Sequence, residues 1–256
     1  MPNINFRRAI HFAEEVSSTQ DAARDHAARD GVRAAGHVHA AAHQTAGRGR
    51  HGKTWYAPPG ANLCMTLIGG PAGLAELWQV AFVAALAAAD TVTSVALGVP
   101  VHLRFPNDVM MRGKKVGGVL IETATGPDVP TGTLLPLVGV GINVRGRTDA
   151  LPPQVAVRAT TVEAESGGGI TVEHVGGLLA DAFAVRWQEW DGGQGFAATL
   201  AAWHEYHDPD ERRTFVIDGA PALCRVVAVS TGGETTLELP DRTRRTVPVV
   251  HVLFGG

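Results

Sequence analysis

Gly47-Arg48-Gly49-Arg50-His51-Gly52-Lys53-Thr54-Trp55 is the stretch from which the rest of the chain is read. It holds three glycines, three fixed positive charges and a closing aromatic. Glycine lets a backbone turn sharply and approach a ligand closely. Guanidinium forks match phosphate and carboxylate oxygens. Trp55 offers a flat face to a base or another ring. Together these suit a flexible loop that closes over an anionic, nucleotide-like ligand. A solvated basic hairpin is the competing reading of the loop taken alone.

The flanks make this loop the link of a strand–loop–strand unit. Gly36 to His43 alternates as a strand does and delivers Gln44, Pro58-Pro59-Gly60 supplies a turn, and Asn62 to Ile68 reads as the second strand. Upstream, Ile10 to Val16 predicts a short strand. Ser17-Ser18-Thr19-Gln20-Asp21 predicts a helix start, running through Ala28 with Gly31 just past its end. Ser18 and Thr19 either cap that helix or turn their hydroxyls to a ligand at its N-terminus.

Downstream, Leu74 to about Thr93 is alanine-rich with the spacing of a core helix. Val101 to Phe105 predicts a strand that stops at a Pro106-Asn107-Asp108 turn, and Arg112-Gly113-Lys114-Lys115 reads as a tight basic turn. Val116 to Glu122 predicts a strand with Gly117 and Gly118 inside it, Gly126 to Gly132 a loop, and Leu134 to Val144 a further strand. Gly139 and Gly141 fall on one face of that strand. Such a face leaves room for something flat, or serves tight helix–sheet packing. Helical spacing recurs from Val175 to Trp187 and from Phe196 to Trp203. Thr214 to Phe254 predicts short strands with turns at Asp218-Gly219, Gly232-Gly233 and Asp241-Arg242, a small β-barrel or sandwich. About 45 residues make a small independent core, so this segment is expected to dock on the rest.

Composition excludes several classes. The 256 residues fit one large domain or one plus a small one, and 45% hydrophobic content supports a substantial core. A net charge of −3, from 22 basic and 25 acidic residues, argues against a general nucleic-acid binder. Cys64 and Cys224 lie far apart in apolar runs, so they read as buried thiols in a reducing cytoplasm rather than as a disulfide or metal pair. The eleven histidines are scattered and show no HExxH pattern, so no metal set is read from them. The start lacks the apolar core of a signal peptide. The most apolar stretch, Leu77 to Ala89, is short for a membrane span.

Three segments stand out together: Gln44 to Trp55, Arg104-Phe-Pro-Asn-Asp108 with Lys115-Val-Gly-Gly-Val-Leu-Ile-Glu122, and Gly139-Val-Gly-Ile-Asn143. In this order, and with Ser18-Thr19 upstream, they resemble the biotin protein ligases over roughly residues 10 to 145. The resemblance implies an α+β fold, a mixed β-sheet catalytic domain of class II synthetase type over residues 1–208, with helices on one side and an SH3-like barrel over 209–256. It also implies a two-step reaction, in which biotin and Mg-ATP form biotinyl-5′-adenylate and a lysine of a biotin carboxyl carrier domain then takes the biotin.

On this resemblance Ser18, Thr19, Gln20, Gln44, Gly47, Arg48, Lys115, Gly117 and Gly118 line the biotin pocket. Arg48, Arg50, Trp55, Asn107, Asp108, Lys115 and Asn143 hold ATP or the adenylate, with Trp55 on the adenine. Lys115, Arg50 and Asp108 are the catalytic candidates. A carboxylate attacking an α-phosphate needs positive charge where negative charge builds, which Lys115 and the arginines can supply with Mg²⁺ assisting. Asp108 can orient an acceptor ammonium or take its proton; a plain turn residue is its alternative role.

This chain departs from the family pattern at Arg104-Phe105 (usually Lys-Trp), at Gln20 (usually Asn) and at His51 and Lys53 (usually Arg). Its motifs begin near residue 17, which leaves no room for an N-terminal helix-turn-helix, so no DNA binding is expected. A lipoate–protein ligase is the nearest rival. A non-catalytic biotin or nucleotide sensor needs fewer of these residues, and a basic-loop RNA binder is disfavoured by charge. No membrane partner is expected. An exposed strand edge could serve a homodimer or carrier docking.

Overall fold

The computed structural model describes residues 4, 6, 7, 9–217 and 219–253, with Ala150 described by its backbone alone. Two calls, on Asp218 and Phe254, lie outside the described residues.

The chain enters through strand β1 (Ile10–Val16), crosses in helix α1 (Thr19–Asp30) and returns as β2 (Val38–Gln44), parallel to β1. A parallel pair needs such a crossover, and a short helix supplies it. Strands β3 (Asn62–Ile68), β4 (Ala72–Gly73), β5 (Val101–Arg104), β6 (Asp108–Met111), β7 (Lys114–Ala124) and β8 (Thr133–Asn143) complete a mixed sheet. Its order is β1-β2-β3-β8-β7-β6-β5, with β4 on β8, and every pairing after β1–β2 is antiparallel. Helix α2 (Val80–Val95) precedes β5. After β8 come two short helices, α3 (Pro153–Ala156) and α4 (Val162–Ser166), then α5 (Val172–Trp190) and α6 (Phe196–Tyr206).

Side-chain alternation on β8 sorts the two faces of the sheet. Val138, Val140 and Ile142 join the main apolar cluster with α2 and α5, whereas Leu135 and Leu137 pack with Ala23 and Ala27 of α1 in a second, smaller cluster. Helices therefore cover both faces, not one side as the resemblance implied. Gly139 and Gly141 continue the α1 side of β8. The functional cavity lies on that side.

The C-terminal part is a four-stranded antiparallel sheet, β9 (Arg212–Ile217), β10 (Ala220–Val229), β11 (Glu234–Glu238) and β12 (Arg244–Pro248), followed by the short helix α7 (Val249–Leu253). Among the described residues it is an open sheet in the order β12-β11-β10-β9, where the spacing predicted a small barrel or sandwich and the resemblance implied an SH3-like barrel. It docks as expected: Phe215, Cys224, Leu237, Val249 and Leu253 belong to the same apolar cluster as Phe82 of α2 and Trp203 of α6.

Two further differences are local. Asp108 opens β6 rather than sitting in a turn, because Val109, Met110 and Met111 pair with β5 and β7 between two tight turns. The apolar stretch, read as Leu77 to Ala89, also continues to the end of the helix. Leu77–Val95 spans 19 residues at a mean hydropathy of 1.3, long and apolar enough to cross a membrane by length and composition, yet 78% of that apolar window is buried inside the protein. It is the central core helix. Cys64 and Cys224 are free and buried.

Candidate active site

A cavity of about 180 Å³ opens on the α1 side of the main sheet. Gly118, Gly139 and Gly141 form its floor, where the two glycines of β8 admit side chains that any larger residue would exclude. A Cβ at Gly139 would stand 2.8 Å from Gln20 Nε2, and one at Gly141 would stand 2.5 Å from the Trp55 ring. The face expected to leave room for something flat therefore carries Trp55.

One end of the cavity is neutral and polar. Ser18 caps α1, its hydroxyl accepting from the Gln20 amide at 3.3 Å, and also lines the cavity, so both readings of that serine hold together. The Gln44 Oε1 accepts from the Thr19 amide at 2.8 Å and from the Thr19 hydroxyl at 3.1 Å. Gln20 donates Nε2 to the carbonyls of Leu120 and Leu137. Among the described residues its Oε1 is buried without a partner. An unpartnered buried acceptor costs about 1–3 kcal/mol, which a ligand N–H placed there would recover.

The other end is charged. Lys115 Nζ donates to Asp108 Oδ1 at 2.5 Å, while Arg104 donates to Asp108 Oδ2 through Nη2 at 2.8 Å and Nε at 3.2 Å. Burial pushes the Asp108 carboxyl up, but Lys115 and Arg104 outweigh it and bring its pKa down to about 2. Arg104 also faces Glu211 at 3.4 Å. The neighbouring departure, Phe105, is buried among Phe82, Trp203 and Phe215 and does not line the cavity, so replacing an indole there changes core packing.

The basic loop is a closed hairpin. Arg48 bridges Thr54, the Gly49 amide donates to the Lys53 carbonyl at 2.7 Å, and the Trp55 amide donates to the Gly47 carbonyl at 2.9 Å. Arg48 is ion-paired to Asp21 at 2.8 Å and to Glu122 at 3.3 Å, and the Asp21 hydrogen bond leads the pair contacts that raise its pKa. Arg50 donates to the carbonyls of Val252 and Leu253 at the end of α7 and to Asn107 Oδ1 at 3.0 Å. Burial, and then the nearby Arg213, lower its pKa to about 10. Lys115 Nζ lies 5.6 Å from the centre of the Trp55 ring, within cation–π reach.

Ser18, Thr19, Gln20, Gln44, Arg48, Arg50, Trp55, Asn107, Asp108, Lys115 and Gly118 thus meet in one cavity. Three sequence candidates do not line it. Gly47 lets the two arms of the hairpin approach, since a Cβ there would stand 2.6 Å from the Trp55 carbonyl oxygen. Gly117 points to the opposite face from Gly118, toward Val109 and Ile142. Asn143 spends its amide on Asn62 and on the Thr160 carbonyl, fastening the end of β8. Conversely, sequence reading missed Arg213, which lines the cavity from β9, and the carbonyls that hold Arg50. No local motif marks either, because both come from the far C-terminal segment.

The mixed sheet and this cavity agree with comparison to known proteins: the chain belongs to the biotin/lipoate A/B protein ligase family, whose model matches residues 12–143. It is 35% identical over 222 residues to the biotin–[acetyl-CoA-carboxylase] ligase of Paracoccus denitrificans, covering 83% of this chain and 88% of that protein. Over 200 residues it is 30% identical to the bifunctional ligase/repressor BirA of Bacillus spizizenii, covering 76% of this chain and 58% of that one. In fold it is similar to the biotin protein ligase from Aquifex aeolicus in complex with biotin and ATP, with a TM-score of 0.74 at 22% identity over 94% of this chain and 96% of that one.

Proposed function

We propose that this chain is a biotin protein ligase that makes biotinyl-5′-adenylate and passes the biotin to a lysine of a biotin carboxyl carrier domain in the cytoplasm. One observation carries the reading: a single cavity joins a neutral polar end, with an unpaired buried acceptor, to a cluster of cations. A ureido ring needs hydrogen-bond partners and a carboxylate–phosphate reaction needs positive charge. The Paracoccus relative's name, biotin–[acetyl-CoA-carboxylase] ligase, supports the same substrate.

In the first step a biotin carboxylate oxygen attacks the α-phosphorus of ATP, the bond to the β-phosphate oxygen breaks and pyrophosphate leaves. Lys115 and Arg50 neutralise the charge that builds there. Lys115 swings from Asp108 to the ligand oxygens, and Arg48 and Asn107 hold the nucleotide. In the second step the acceptor amine attacks the acyl carbon, the C–O bond to AMP breaks and the amine loses its proton. Asp108 orients the incoming ammonium.

Ligand pockets usually measure about 300–1,000 Å³. The 180 Å³ cavity is smaller, and Trp55 fills part of its floor. The Gly47–Trp55 hairpin therefore rearranges on binding, and once closed it keeps water from the mixed anhydride. Among the described residues Asp108 is the one carboxylate that lines the cavity, and its oxygens are engaged by Lys115 and Arg104. These residues do not build a protein Mg²⁺ site; an ion that accompanies ATP would be held mainly by the nucleotide itself and would supply charge neutralisation.

The family also includes lipoate ligases. The Gln20 acceptor and the Gln44 amide favour a ureido ring over a dithiolane, which lacks N–H donors. The test is ATP–pyrophosphate exchange with biotin and with lipoate, without acceptor. Exchange with biotin alone supports the reading; exchange with lipoate alone keeps the mechanism and overturns the substrate. No exchange by folded protein that still binds biotin makes it a sensor.

A further inference from the structure

Four histidines that are dispersed in sequence meet on the α1 side of the sheet edge, away from the cavity. The parallel register of β1 and β2 sets His11 opposite His39. His37 precedes His39 by two residues, so the strand period turns both to one face. Helix α1 lays His26 over them, with Asp30 one turn further on. The rings pack closely: His11 stacks on His37 and His39 with centroids 5.1 and 4.9 Å away, and His26 meets His37 edge-on at 4.5 Å.

The nitrogens converge as well. His11 Nε2 and His37 Nδ1 lie 2.8 Å apart, His26 Nδ1 and His39 Nε2 3.0 Å apart, and each pair holds one proton between two nitrogens. His26 Nε2 faces Asp30 Oδ2 at 3.1 Å, which fixes the ring and turns Nδ1 toward the other imidazoles. One ring nitrogen from each of His11, His26 and His37 lies within 4.8 Å of the other two. Zinc–nitrogen bonds of about 2.0–2.1 Å place tetrahedral ligand nitrogens roughly 3.4 Å apart, so small ring movements close the set. His11 is exposed, which gives an entry path, whereas His26 is buried.

We propose that His11, His26 and His37, with His39 beside them and Asp30 behind His26, form a binding site for a divalent transition metal of the zinc class. Imidazole is the ligand type such ions prefer over magnesium or calcium. Burial lowers the pKa of His26, His37 and His39, the last to about 4, with neighbouring imidazoles and Arg29 adding to burial and Asp30 opposing it at His26 and His37. A lowered pKa favours the neutral ring, the form in which imidazole binds a metal. The metal ties the edge strand β1 and strand β2 to α1, the helix whose first turn presents Ser18, Thr19 and Gln20 to the cavity. The inference does not depend on which substrate the cavity takes.

The experiment uses the full chain without a polyhistidine tag, stripped of metal, titrated with Zn²⁺ against a chromophoric chelator. The expected result is one competing equivalent, with affinity falling at least about tenfold in His11→Asn and further in His11→Asn/His37→Asn. His174→Asn, on the exposed face of α5, leaves it unchanged. Substitution with Co²⁺ gives the visible absorption of a four-coordinate ion, and His11→Asn, an exposed change, removes it without threatening the fold. No competing equivalent in the wild type, or equal affinity and spectra in wild type and His11→Asn, overturns the proposal.

Discussion

Replacing Asp108 by Asn isolates the charge at the centre of the cavity. The side chain keeps its shape but loses the carboxylate that joins Lys115 at 2.5 Å to Arg104 at 2.8 Å. A carboxyl brought from its ordinary 3.8 to about 2 stabilises the folded chain by about 2 kcal/mol at neutral pH, at about 1.4 kcal/mol for each tenfold change in acidity. Removing one partner of a fully buried pair costs about 3–5 kcal/mol. Here the cations remain 29% and 31% exposed, so the lower figure applies. The sign follows from the direction of the change. A lowered folded-state pKa gives stability that is complete above about pH 4 and is lost as pH falls through about 2. Urea unfolding of wild type and Asp108→Asn, followed by tryptophan fluorescence at several pH values, measures the difference. The expected gap is about 2 kcal/mol from pH 7 to 5, shrinking below pH 4. A gap that is absent at pH 7, or that stays constant down to pH 2.5, refutes the reasoning.

Other outcomes follow from the same geometry. While Lys115 and Arg104 hold it near 2, the Asp108 carboxylate lies about eight pKa units below a lysine ammonium, about 11 kcal/mol uphill for proton transfer, so in that paired state the proposed role is to orient the acceptor without deprotonating it. Biotin transfer should therefore rise about tenfold per pH unit between 7 and 9 in wild type and Asp108→Asn alike; a wild-type plateau that Asp108→Asn abolishes counts against this. Arg50→Gly removes the contact to the α7 carbonyls and, on the proposed reading, a clamp on the phosphate, so the adenylate should leave faster and label lysines promiscuously, with faster amide exchange in α7; unchanged retention by filter binding contradicts the clamp. Gly118→Ala places a Cβ 2.9 Å from Lys115 Nζ, the mobile end of a side chain, so the melting temperature should hold while pyrophosphate exchange slows at least about tenfold. The Gly47–Trp55 amides should exchange more slowly when the adenylate is bound than without it; equal exchange removes the lid role.

What could be read from sequence was local. Ile10–Val16 and Asn62–Ile68 were bounded to the residue, because alternation or a continuous apolar run and flanking turns act within a few positions. The glycine face of β8 was legible from the period of a strand. That Asn143 is engaged outside the cavity lining was not legible, because its partners, Asn62 and Thr160, are brought to it by the fold. Arg213 and the α7 carbonyls reach the cavity across more than a hundred residues, a distance no local pattern spans. The histidine cluster was hidden for the same reason: only the parallel register of β1 and β2, with α1 laid over it, turns scattered residues into neighbours.

Each principal cation of the cavity already has an internal partner: Arg48 on Asp21 and Glu122, Arg50 on the α7 carbonyls, Lys115 on Asp108. Under the proposed reading an incoming phosphate or carboxylate exchanges one set of contacts for another, so each ground-state contact adds little net affinity. What the internal partners cannot match is charge that grows during attack on the α-phosphorus, and interactions stronger in the transition state than in the ground state are the ones that raise the rate. The same pairing holds unliganded side chains in place without leaving buried charges bare. On the proposed reading Arg50 would add a mechanical link, because releasing the α7 carbonyls to grip a phosphate would free the C-terminal segment. On the same reading the C-terminal segment, which among the described residues lines the cavity through Arg213 and holds Arg50 through the end of α7, would report on its occupancy.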